Sequence, residues 1–252
     1  MPAATIRATT FQIRYRDALL TERQWDAELR RAVAAANGVF RAHGISFTLS
    51  QVAHLSEEAS MALLTRSVDE ESRAEGISRD AYFQRERRLD SYVQQSRTGA
   101  RGPFRYGGFL VRAFPMSAAA TSATAARPAS QEALDILQLN RAAGEIATYW
   151  VPGFNSGYHG LTYMPEFNPG VSRTREGILI SFGAARDILA HEIGHLLMRA
   201  GHCTFEGPDG ATEGSAPATN LMHRDNESRT GTALTGGQVR RMLAEGRDYL
   251  RG

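Results

Sequence analysis

Apolar and polar positions alternate with a period of two at the start of the chain. ATIRATTFQIRYR (4–16) therefore predicts a first strand. The period then changes. In TERQWDAELRRAVAAANGVFRAHG, Trp25, Leu29, Val33 and Val39 or Phe40 recur at helical spacing, with Thr21 placed to cap the start and Gly44 to stop the helix. Alternation returns in ISFTLSQVAHL (45–55), a second strand. Residues 67–98 are densely charged, and DAYFQRERRLDSYVQQSR (80–97) within them predicts an exposed helix. Short β-rich runs at 107–115, 144–152 and 176–182 predict three more strands. Between them, SAAATSATAARPAS (117–130) is small, polar and low in complexity, as a surface loop or flap is. GFNSGYHGLTYMPEFNPG (153–170) is a Gly- and Tyr-containing loop. The last strand runs directly into an apolar helix, ARDILAHEIGHLLMRAG. The chain closes on an irregular stretch and a final helix in LTGGQVRRMLAEGRDYL, where Thr235 and Gln238 have the spacing of a capping box.

This order predicts an α+β fold: a mixed twisted sheet, a backing helix, the HEIGH helix, and a small irregular C-terminal lobe ending in a helix. Residues 1–252 read as a single domain, divided into an N-terminal lobe (1–201) and a C-terminal lobe (202–252).

Composition narrows the function classes. The apolar share of 42% and charged share of 22% are those of an ordinary soluble protein. No apolar run reaches the roughly 18 residues of a membrane span. A net charge of +2, spread without a basic block, is no nucleic-acid footprint. Cys203 is the sole cysteine, which excludes an internal disulfide and a multi-cysteine metal site. The N-terminus lacks the charged start and apolar stretch of a secretory signal. The protein therefore stays inside, leaves by a route that needs no such signal, or has a leader that this chain does not include; export without a classical signal is favoured over a cytoplasmic location. All 29 basic residues are arginine. A coding bias that also enriches Ala and Gly explains this. So does selection against the ubiquitination target in a translocated toxin or effector.

Candidate chemistry centres on HEIGH, His191 to His195. On a helix, positions i and i+4 share a face, so both imidazoles reach one metal. Glu192 lies beside them, placed to take a proton from a metal-bound water. Zinc suits imidazole ligands and an open coordination position. Ile188, Leu189, Ile193, Leu196 and Leu197 make this a buried helix, where a polar face needs partners.

HEIGHLLMRAGHC followed by NLMH (220–223) resembles the metzincin clan of zinc peptidases, and NLM with LTGGQVRRM is similar to its bacterial pappalysin-like branch. The clan's motif is H-E-x-x-H-x-x-G-x-x-H with a downstream methionine turn. The resemblance implies a metzincin-like fold, one zinc per chain, hydrolysis of protein or peptide substrates with Glu192 as general base, and Met222 as a floor beneath the ligands. Oligomeric state stays open. Two positions depart from the pattern: Met198 stands where the clan has glycine, and Gly201 where it has the third histidine. A one-residue insertion, with Gly201 turning the chain out of the helix, brings His202 to the metal as third ligand. Asp209, Glu206, Glu213 and His223 are the alternatives. Asp187 is positioned either to bond a ligand imidazole or to favour the helix dipole. His223, Tyr158 and Tyr163 are candidate transition-state donors. The strand at 144–152 is the expected cleft edge for an extended substrate.

Overall fold

A computed structural model describes residues 2–12, 14–15, 18–74, 76–78, 81, 129–139, 144–154, 158–205, 212, 214–225 and 228–250. The strand expected at 107–115 lies outside these residues, as do all but one residue of the helix expected at 80–97 and most of the loop expected at 117–130.

The alternating N-terminus forms β1 (Ala3–Phe11), followed by a two-stranded pairing of β2 (Arg14–Tyr15) with β3 (Ala18–Leu19). Thr21 and Gln24 close a capping box on α1 (Glu22–Phe40). Gly44 ends the turn after it at φ +76°, a conformation that costs glycine little. β4 (Ser46–Leu55) and α2 (Glu57–Ala74) follow. Asn37, buried on α1, bonds both peptide groups of Phe47 at 2.9 and 2.8 Å and so ties the helix to β4. Next come α3 (Gln131–Leu137), β5 (Glu145–Val151), β6 (Gly160–Tyr163), β7 (Gly177–Ser181), α4 (Ile188–Met198) and α5 (Gly236–Glu245), the last opened by the Thr235–Gln238 capping box.

The result is an α+β fold; among the described residues its mixed sheet has five strands ordered β4-β1-β5-β7-β6, with β6 alone antiparallel to its neighbour. β5 and β7 are buried almost throughout, as parallel strands covered on both faces are. Ile146, Trp150, Ile178 and Ile180 point to the core shared with α1 and α4; Ala147, Tyr149, Val151 and Leu179 point to a second core against α3. The first core takes in Trp25 and Phe40 from the start of the chain and Leu221, Met222, Met242 and Tyr249 from its end. α4 lies within it, every residue buried. No helix among the described residues is long and apolar enough to cross a membrane.

β5 is not a cleft edge. It pairs with β1 on one side and β7 on the other. Among the described residues the sheet edge beside α4 is β6, in the segment expected to be loop.

Candidate metal centre

His191 and His195 lie one turn apart on α4, and His202 follows on the loop beyond it. One ring nitrogen from each lies within 4.8 Å of the others, close enough to hold a metal ion. The orientation of two rings is fixed from behind. His191 Nδ1 lies 2.6 Å from Leu221 O, and His195 Nδ1 lies 2.9 Å from Ala200 O. A carbonyl only accepts, so each Nδ1 carries the hydrogen and each Nε2 presents a bare lone pair. Those two Nε2 atoms are 3.0 Å apart. Lone pairs facing at that distance repel unless a cation lies between them, and the donor set therefore fits a metal ion. The ring of His202 closes the third side, its centroid 5.4 Å from that of His191 and 4.7 Å from that of His195. Burial and the neighbouring His195 hold the His191 pKa well below its usual value; Arg229 and His202 act in the same direction and Leu221 against it. The ring thus stays neutral, as a ligand must.

His202 arrives by a different turn from the one expected. α4 ends at Met198, and the left-handed residue is Arg199 at φ 54°, while Gly201 has no positive φ. Arg199 tolerates this conformation because its guanidinium is buried against Glu176, with one bond of 2.6 Å and a second, shorter one. Tyr249 also donates to Glu176. Burial opposes the charge on Arg199, but Glu176 outweighs it and holds the guanidinium pKa above its usual value. Past the turn, Ala216 N–H donates to His202 O at 3.3 Å. The next residue, Cys203, is buried and accepts from Gln238 Nε2 at 2.7 Å. Gln238 also exchanges amide bonds with Asn220, which caps Met222 N–H at 2.8 Å. One buried glutamine thus joins the His202 loop to the methionine turn.

Met222 lies directly beneath α4. A Cβ on Gly194, between the two helical histidines, would sit 2.4 Å from Met222 Sδ. Glu192 is buried on the other side, where Thr162 Oγ1 on β6 lies 2.7 Å from its Oε2 and 2.9 Å from its backbone carbonyl. Gly160 gives that carboxylate room: a Cβ there would meet Ile188 Cγ2 at 2.5 Å and Glu192 Oε1 at 2.9 Å. Burial pushes the Glu192 pKa up to about 7, with Thr162 and Arg229 pulling it back.

The remaining candidates fall elsewhere. Asp187 bonds no imidazole; it pairs with Arg229, a residue without any motif to announce it. His223 uses both ring nitrogens on Ala216 O (2.8 Å) and Ser228 Oγ (3.0 Å), so it braces its own loop. Tyr163 is buried in the second core, where burial, Glu132, Tyr158 and Glu192 push its pKa up, and Tyr158 is exposed. Glu206, Asp209 and Glu213 lie outside the described residues.

Among known proteins, no family model matches this chain and no curated protein matches it either. The chemistry rests on the geometry of the site.

Proposed function

We propose that this chain is a zinc-dependent endopeptidase of metzincin type, with His191, His195 and His202 holding one zinc and Glu192 as the general base. The observation that carries the reading is a single helix whose two histidine Nε2 atoms lie 3.0 Å apart, with a third imidazole nitrogen within 4.8 Å of both side chains' ligand atoms, and a buried carboxylate beside them. A purely structural metal site has no use for a buried carboxylate between its ligands, whereas a hydrolase needs a base near neutral pKa. When bound, zinc supplies a Lewis acid and acidifies a water. The chain does the rest. The carbonyls of Leu221 and Ala200 fix the ligand rings, Thr162 holds one carboxylate oxygen of Glu192, and Glu192 takes a proton and returns it to the leaving amine. Substrate lies along β6, which pairs only with β7 among the described residues and carries Gly160 and Thr162 against Glu192. A narrower reading, a translocated toxin or effector protease with one protein target, shares this chemistry and draws on the missing lysine.

Metal analysis together with cleavage of unfolded casein tests the reading. The full chain should carry about one zinc, lost on His191→Ala or His195→Ala. Glu192→Gln should keep the zinc and lose most turnover. Zinc without cleavage of any substrate would leave a metal-binding module, and full zinc in both histidine variants would remove the metal centre altogether.

A further inference from the structure

Arg229 is buried to 2% side-chain exposure, and it spends its whole guanidinium at the start of α4. Nε and NH2 bond Asp187 Oδ2 at 2.9 and 2.7 Å, while NH1 donates to Leu221 O at 3.1 Å. That carbonyl is the same one that receives His191 Nδ1–H. Nδ1 and NH1 lie 2.9 Å apart, as two donors converging on one acceptor do. From the other side Leu221 N–H donates to Ala233 O at 2.8 Å, so the peptide unit is held at both ends. Metal-ligating histidines are commonly oriented by a carboxylate, which also raises their basicity. Here the acceptor is neutral, and the nearest charge is a cation already matched by Asp187. What the arrangement supplies to His191 is direction.

We propose that Arg229 is a positioning residue of the metal centre. Its planar fork, anchored on Asp187, pins the Leu221 carbonyl and thereby aims His191 Nε2 before metal arrives. The inference rests on the metal-centre reading above and adds a residue to it. A desolvated guanidinium is expensive unless every edge is satisfied, and this one joins three separate pieces of chain: the residue before α4, the loop at Leu221, and its own segment. Lysine offers no such fork, so charge alone does not replace it.

Zinc affinity of the full-length protein, measured by chelator competition, tests this, together with the absorption spectrum of the cobalt-substituted form and thermal unfolding of the metal-free form. Arg229→Leu should weaken zinc by about 10- to 100-fold and change the cobalt spectrum, which reports ligand geometry. Arg229→Lys should not restore either. A merely structural arginine would lower the unfolding temperature and leave the cobalt spectrum of the folded protein as it was. If Arg229→Leu does not fold, Asp187→Asn decides, since asparagine has the same shape and still offers Arg229 an acceptor: several-fold weaker zinc supports the proposal. Zinc affinity within about twofold of wild type with an unchanged cobalt spectrum, in whichever variant folds, overturns it. Wild type that binds no zinc overturns the metal-centre reading along with the proposal.

Discussion

The two ends of α4 are each fastened by an arginine, and the fastenings differ in direction and depth. At the start, the helix side provides the acid, Asp187, and the downstream loop provides Arg229. At the finish the helix side provides Arg199, and the residue before β7 provides Glu176, helped by Tyr249. Each charge has the sign that the helix dipole favours at its end. Depth separates them. Asp187 keeps 28% of its side chain exposed, whereas Arg199 and Glu176 keep 3% and 4%. A pair sealed on both sides is costly to break because the survivor is stranded; Arg229 is as buried, at 2%, but an asparagine at the part-exposed position 187 still offers it an acceptor. Only the first end shares an acceptor with a candidate ligand. The first end should therefore govern metal affinity at modest cost in stability, and the second should govern stability.

Glu176→Ala breaks the comparison hardest. It takes the nearer carboxylate from buried Arg199 and leaves only the partly exposed Glu166, 3.5 Å away, so the loss should be about 3 kcal/mol, the low end for breaking a buried pair. Chemical denaturation of the metal-free protein measures it. A loss no larger than that of Asp187→Asn would show that depth does not distinguish the two ends.

Glu192, midway between the ends, sharpens the contrast because a hydroxyl holds it where the ends have an ion pair. Its pKa is raised from 4.5 to about 7, so the folded chain binds this proton more tightly than the unfolded one. The stability it confers is present below the unfolded value and lost as pH rises toward about 7. Glu192→Gln keeps an acceptor for Thr162 and removes that decline. The metal-free variant should therefore exceed wild type by up to about 3 kcal/mol above pH 7 and match it in acid below 4.5. Unfolding free energies across that range check it; parallel curves for the two proteins would show that the carboxylate is not strained by burial.

The sequence announces this helix but neither of its fastenings, for a physical reason. His191, Glu192 and His195 stand within one turn, and local periodicity alone puts them on a buried helix. The same holds for α1 and α5, whose capping boxes span four residues each. Arg229 lies 42 residues from Asp187 and acts through a backbone carbonyl, which has no side-chain signature. The turn to His202 reads as glycine's work at Gly201, yet it falls on Arg199, since a distant glutamate makes a left-handed arginine tenable. β6 is hidden by the very feature that serves the site. Gly160 reads as loop, and it is glycine because Ile188 and Glu192 fill the space a Cβ would need. The cleft-edge reading of 144–152 fails on a signal the run itself carries: EIATYWV does not alternate, and a strand apolar on both faces belongs inside a sheet, where β5 lies between β1 and β7.

Tyr249→Phe is the gentlest test, and it isolates the second end from the metal. The phenol is buried, and burial with Glu176 beside it pushes its pKa well up, so it is a neutral donor at every working pH. Phenylalanine keeps the ring in the core and removes one bond to a charged acceptor, leaving Glu176 and Arg199 paired. The expected loss is about 1.5–3 kcal/mol, the range for a hydrogen bond to an ionised group. Because the bond ends on Glu176, which touches none of the three histidines, zinc affinity should stay at the wild-type value while the unfolding temperature drops. If zinc weakens as far as it does in Asp187→Asn, the turn at Arg199 transmits directly to His202, and the two ends of α4 then act on the metal as one unit.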